Sequence, residues 1–183
     1  LFIDPGFPVQ KSQLRLLGME WDTFDAYAFR GEKLAEKVET YLKAGRTSAI
    51  LYSNPNNPSW ICLTEDELKA LARLSEQYDV PLIEDLAYFA MDFRKDLSHP
   101  GVAPYQASVS QYTDNWIMLI SSSKAFSYAG QRIGCMVVSD KLFKREYPDL
   151  LGCFPSPQLG RALIYGAMYG LSSGVAASVQ HGF

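Results

Sequence analysis

Short apolar runs alternate along this chain with longer stretches in which apolar positions recur every three or four residues. Residues 48–52 (Ser-Ala-Ile-Leu-Tyr), 81–85 (Pro-Leu-Ile-Glu-Asp), 116–120 (Trp-Ile-Met-Leu-Ile) and 135–138 (Cys-Met-Val-Val) predict buried strands, being short and almost continuously apolar. Residues 64–78 predict a helix. Thr64 and Glu67 form a capping box, Leu63 and Leu68 a hydrophobic staple, and Leu68, Leu71 and Ala72 an apolar stripe. A second helix is predicted over residues 31–44, through Leu34, Val38 and Leu42. Strands and helices alternating at this rhythm imply an α/β fold with a mostly parallel central sheet and helices on both faces. Such sheets hold ligands at the carboxyl ends of their strands, so chemistry is expected where strands end.

Residues 162–179 are uncharged and carry small side chains at Ala162, Gly166, Gly170 and Gly174. Their serines and glycines leave the segment only marginally apolar. It predicts a helix packed closely on a neighbour, not a membrane span. With 183 residues and 48% hydrophobic content, the chain closes its core within a single domain. A net charge of -3 without any basic stripe argues against nucleic acid as a partner. Cys62, Cys135 and Cys153 form no CxxC or Cys/His pattern and predict buried, reduced thiols in a cytoplasmic protein. Isolated His99 and His181 predict surface residues, and Tyr112, Trp116 and Tyr165 predict core or interface aromatics. A start on Leu-Phe-Ile-Asp, with no signal peptide, predicts a fragment of a longer protein.

Three strand ends carry chemistry: Asn54-Pro-Asn-Asn57-Pro58, Asp85-Leu-Ala-Tyr88, and Ser121-Ser-Ser-Lys124 with Arg132 eight residues further on. The Lys124 amine suits a Schiff base with an aldehyde, and afterwards general base and acid work. A carboxylate ending an apolar strand, as Asp85 does, is costly unless paired. Arg132 offers a bidentate fork to a phosphate, and Ser121 and Ser123 offer hydroxyl donors from the same loop. Gly130 and Gly134 flank Arg132, where close backbone approach is expected. A phosphoacceptor receiver domain also uses a strand-end Asp, a Ser or Thr and a Lys. It requires an early acidic pair, which this chain lacks, and gives no reason for Arg132 or the Asn-Pro turn.

In order and spacing these segments resemble the class I/II aminotransferases of the fold-type I pyridoxal-phosphate enzymes. That family carries an Asn-Pro-x-Asn-Pro turn, an Asp-x-Ala-Tyr segment, and a Ser-x-x-Lys followed by Gly-x-Arg. Asp4-Pro-Gly-Phe-Pro8 likewise resembles its Pro-Gly-Tyr-Pro turn. The resemblance implies pyridoxal 5'-phosphate on Lys124, with Asp85 at the pyridine nitrogen and Ala87 packed on the ring. It also implies Tyr88 and Asn57 at the phenolic oxygen, Ser121, Ser123 and Arg132 at the phosphate, and a cis bond at Asn57–Pro58. An amino acid and a 2-oxo acid would be the substrates, and the full-length protein would be a homodimer.

Against that pattern, Trp60 stands where glycine is usual, Ser122 where an apolar residue is common, and Tyr128 where an aliphatic one is common. The family's amino-terminal glycine-rich loop and its carboxyl-terminal small domain have no counterpart in these residues. The chain therefore reads as the central part of the large cofactor domain, inactive alone, with the ring-stacking aromatic expected upstream of Leu1. Arg161 has no spacing that brings it to the cofactor. The same lysine, aspartate and arginine serve carbon-sulfur lyases, and a similar domain senses effectors in aminotransferase-like transcription regulators. These two readings stand as alternatives to transamination.

Overall fold

The computed structural model describes residues 1–182. Strands β1 (Phe2–Asp4), β2 (Thr23–Asp25), β3 (Ile50–Ser53), β4 (Leu82–Leu86), β5 (Trp116–Ser121) and β6 (Gly134–Val138) form one sheet in the order β2-β1-β3-β4-β5-β6. Every neighbouring pair is parallel except β5 and β6. The expected mostly parallel α/β sheet is thus present. The short strands β1 and β2 carried no apolar run long enough to be read from the sequence.

Helix α1 (Pro8–Leu16) follows β1, α2 (Glu32–Lys43) precedes β3, and α3 (Glu65–Tyr78) joins β3 to β4. Leu34, Val38 and Leu42 of α2 and Leu68 and Leu71 of α3 are buried in one cluster with Ile3, Phe24, Ile50, Tyr52 and Leu82 of the sheet. Each such leucine contributes about 2 kcal/mol by leaving water. Thr64 caps α3 as predicted, its hydroxyl accepting from the Glu67 N–H at 3.2 Å while Glu67 Oε2 accepts from the Thr64 N–H at 2.9 Å. Glu67 also ties α3 to the start of α2. Arg30 donates from Nε and Nη2 to its two oxygens at 2.7 and 2.6 Å, and the Gly31 N–H donates to Oε1 at 2.7 Å.

The two faces of the sheet are covered unequally. Ile50, Tyr52, Leu82, Glu84 and Leu86 are buried on the face that carries α2 and α3, whereas Leu51, Ile83 and Asp85, which alternate with them, are half-buried. Helix α1 reaches that second face through Gln10, which bonds Asp85.

Helix α4 (Ser122–Ala125) follows β5, and α5 (Asp140–Lys144) follows β6. The glycines around Arg132 differ. A Cβ at Gly134 would lie 2.7 Å from the Ile120 carbonyl, so the antiparallel β5–β6 pair does require glycine there. Gly130 has open space around it, and the left-handed conformation falls on Arg132 itself, at φ +55°.

The carboxyl-terminal segment departs from the expected single helix. It runs through α6 (Leu159–Arg161), a π-helical stretch (Ala162–Tyr169) and α7 (Gly170–Ser172), then breaks before α8 (Ala177–Gly182). Ser173 and Gly174 take positive φ values of +57° and +130°, which end the helix. Gly160 and Gly166 do sit against Phe143 and Phe154, but Tyr165, Met168, Tyr169 and Leu171 are exposed. Among the described residues no helix is long and apolar enough to cross a membrane.

Only Cys62 is a buried thiol, and burial, ahead of the nearby Asp92 charge, pushes it above the ordinary thiol range. Cys135 and Cys153 are exposed, contrary to expectation, because β6 is an edge strand and Cys153 follows a surface 3-10 turn. Tyr112 and Trp116 pack on the core, Tyr165 does not, and His99 and His181 are exposed.

Candidate functional site

Parallel pairing brings three strand ends to one rim. Ser53, the last residue of β3, is in register with Asp85 of β4, and Asp85 with Leu119 near the end of β5. Residues just beyond these ends converge on a cavity of about 310 Å³, a size that suits a small ligand. Asn57, Asp85, Ala87, Tyr88, Ser121, Ser123, Lys124 and Arg132 all line it. Every candidate site residue named from the sequence is thus in one place.

The asparagines after β3 divide their work. Asn54 is buried, its Oδ1 accepting from the Leu63 N–H at 3.0 Å and its Nδ2 donating to Glu84 Oε1 at 3.3 Å and to the Ala107 carbonyl at 3.2 Å. Glu84 points to the sheet face opposite Asp85. Burial pushes its carboxyl above the ordinary range, although Ser108, Asn54 and the Val109 N–H all donate to it. Asn56, also buried, donates to the Pro5 carbonyl at 2.6 Å and accepts from Ser59. These two hold the loop, and Asn57 alone of the three faces the cavity. The Asn57–Pro58 bond is cis, as the resemblance implied, and Asn54–Pro55 is cis as well.

Asp85 is half-buried and already well bonded. Its Oδ2 accepts from Gln10 Nε2 at 2.8 Å and from Ser53 Oγ at 3.3 Å, and its Oδ1 accepts from the Ala87 N–H at 3.0 Å. A carboxylate offers about four lone-pair positions, so one further donor fits. Lys124 lies in α4, its Nζ 5.9 Å from the centre of the Tyr88 ring. Ser121 caps that helix by accepting from the Ser123 N–H at 3.2 Å. Ser122, buried where an apolar residue was expected, donates from its hydroxyl to the Ile133 carbonyl at 2.8 Å and so fixes α4 against the strand that returns. Among the described residues the Arg132 side chain donates once, from Nη1 to the Ala129 carbonyl at 2.9 Å, and no acid pairs with it. Its remaining donors suit an anion in the cavity.

Four residues were missed from the sequence. Phe7, Ser53 and Ala129 line the cavity, and Gln10 holds Asp85. Phe7 belongs to the Pro-Gly-Phe-Pro turn between β1 and α1 and forms part of the wall, while the ring-stacking aromatic expected upstream of Leu1 lies outside the described residues. Strand alternation was the available signal for Ser53, which shares a sheet face with Asp85. No comparable signal marked Gln10, 75 residues away from its partner. Arg161 remains outside the cavity wall.

A probable aspartate aminotransferase of Methanocaldococcus jannaschii is 29% identical over 109 residues, covering 60% of this chain and 26% of its own length. A histidinol-phosphate aminotransferase of Brevibacillus brevis is 30% identical over 138 residues, 68% of this chain and 36% of that protein. Among solved structures, an aminotransferase from Mycobacterium tuberculosis superposes with a TM-score of 0.60 at 23% identity, over 77% of this chain and 36% of its own. That likeness concerns the fold alone. The chain spans about a quarter of the length of the curated relatives it matches first. The family model for aminotransferase class I and II matches residues 1–164, and the chain belongs to that family, whose cofactor is pyridoxal 5'-phosphate.

Proposed function

We propose that this chain is the central part of the cofactor-binding large domain of an aminotransferase that moves an amino group between an amino acid and a 2-oxo acid. The carrying observation is the single cavity that joins the Lys124 amine, the Asp85 carboxylate and the Arg132 guanidinium. Pyridoxal phosphate fits this donor set, because an amine, an anion and a cation with adjacent hydroxyls answer its aldehyde, ring nitrogen and phosphate in turn. When bound, it supplies an electron sink for the bond-breaking at the substrate α carbon.

Lys124 would bind the aldehyde, and its free amine would hold and move the proton at the substrate α carbon. Asp85, kept in orientation by Gln10, Ser53 and the Ala87 N–H, keeps the ring nitrogen protonated. Asn57 and Tyr88 donate to the phenolic oxygen. Arg132, Ser121 and Ser123 hold the phosphate, and small Ala87 with Phe7 bounds the ring. The protein works in the cytoplasm as a homodimer, the usual arrangement when sites are shared across an interface.

Relatives named as aminotransferases favour transamination over elimination. Borohydride reduction of the full-length, cofactor-loaded protein followed by peptide mass mapping tests the site. The expected result is a pyridoxyl adduct on Lys124, and an adduct on another lysine overturns the assignment. Incubation with amino acids should release a 2-oxo acid without ammonia, whereas release of ammonia would mark an eliminating enzyme.

A further inference from the structure

Trp60 sits at φ +58° inside a loop closed on both sides of it. Its N–H donates to the Asn56 carbonyl at 2.9 Å, and the Asn56 N–H donates to the Ile61 carbonyl at 2.8 Å. A bulky side chain in the left-handed region is an outlier, kept only where its surroundings over-determine it, and such outliers cluster at functional sites. Glycine would make the same turn without steric cost. The turn therefore does not explain the indole.

The packing of that indole does. Its ring meets Tyr88 edge to face, with centroids 5.3 Å apart and planes at 75°, and stacks on Phe93 at 5.8 Å and 18°. Tyr88 lines the cavity within 5.9 Å of Lys124 Nζ, whereas Trp60 is not part of the described cavity wall. An aromatic train thus runs from solvent-exposed Phe93 through Trp60 to a ring beside the site amine. Edge-to-face contact favours one orientation of the tyrosine ring over its other staggered positions.

We propose that Trp60 is a positioning residue for Tyr88, bracing its ring so that the hydroxyl stays aimed at the phenolic oxygen of the cofactor carried by Lys124. The inference rests on the cofactor reading above and goes beyond it in naming a residue that touches neither substrate nor cofactor. Hydrogen bonding to that anionic oxygen favours the deprotonated form of the lysine-linked cofactor. An unbraced Tyr88 donates for less of the time, so the linked cofactor keeps its proton to higher pH.

The test is the pH midpoint of the visible absorption band of the full-length protein loaded with pyridoxal phosphate, read beside the melting temperature of the cofactor-free protein. Tyr88→Phe sets the full upward shift. Trp60→Gly should raise the midpoint by roughly half a pH unit, with little change in melting temperature because relief of the backbone offsets the lost packing. Trp60→Leu keeps the backbone and an apolar side chain but removes the ring, and should give the same shift should the glycine variant misfold. Trp60→Phe should return the midpoint toward the parent value. In a Tyr88→Phe background, Trp60→Leu should add nothing. A parental midpoint in Trp60→Gly and Trp60→Leu, where Tyr88→Phe shifts it, overturns the inference and leaves the cofactor reading intact. Absence of any band that depends on Lys124 overturns that reading, and the inference with it.

Discussion

Gln10 Nε2 donates to Asp85 Oδ2 at 2.8 Å, joining the first helix to the end of the central strand β4 across 75 residues. The bond fixes the rotation of a carboxylate whose direction the proposed chemistry requires. It also decides which substitution at position 10 is tolerated.

Gln10→Ala should weaken binding of pyridoxal phosphate by about tenfold, the worth of one hydrogen bond to a charged group. Gln10→Glu should be worse at pH 8 than at pH 5. Two carboxylates at this distance repel when both are ionised and share a proton when one is not. Fluorescence titration with the cofactor at the two pH values measures both effects.

Among the described residues the Arg132 side chain makes one hydrogen bond, and it lines the cavity, which is why the proposed function gives its fork to the phosphate. Arg132→Lys keeps the charge and loses the bidentate geometry, which should cost about 2 kcal/mol of pyridoxal phosphate affinity. Binding of unphosphorylated pyridoxal should be unchanged. Equilibrium dialysis with the two vitamers separates a phosphate contact from a general loss of folding.

Glu67 supplies a pH-dependent part of the stability. Burial works to raise its pKa, but the Arg30 fork and the Thr64 and Gly31 N–H groups outweigh it and hold the carboxyl at about 2, against an ordinary 4.5. A lowered folded pKa means that the stabilisation is complete above the ordinary value and is lost as pH falls from there toward the folded one. Glu67→Gln should therefore destabilise by about 2–3 kcal/mol at pH 6, with the gap from the parent narrower at pH 3 and closing only near pH 2. Urea unfolding at pH 6 and pH 3 checks the sign.

Where residue type and strand ending together dictated the chemistry, the sequence was legible. Lys124, Asp85 and Arg132 could be named because an amine, a carboxylate and a guanidinium after successive apolar runs had to meet at one rim, whereas Tyr88 and Asn57 were implied only by the family resemblance. The cap at Thr64 was legible because it involves a contact three residues long. Gln10 and Ser53 were not, since each depends on a distant pairing register. An apolar run also does not reveal whether a strand is interior or peripheral, which is why Cys135 was expected inside. The break at Ser173 and Gly174 was hidden because serine enters the left-handed region without announcing it in the pattern.

Strand β6 runs antiparallel at the margin of the sheet, with Gly134, Cys135, Met136 and Val137 exposed. Its outward amide and carbonyl groups form a template onto which any extended peptide can zip. Handled at high concentration as 183 residues, the protein should associate through that border, and charged replacements at Met136 or Val137 should keep it dispersed.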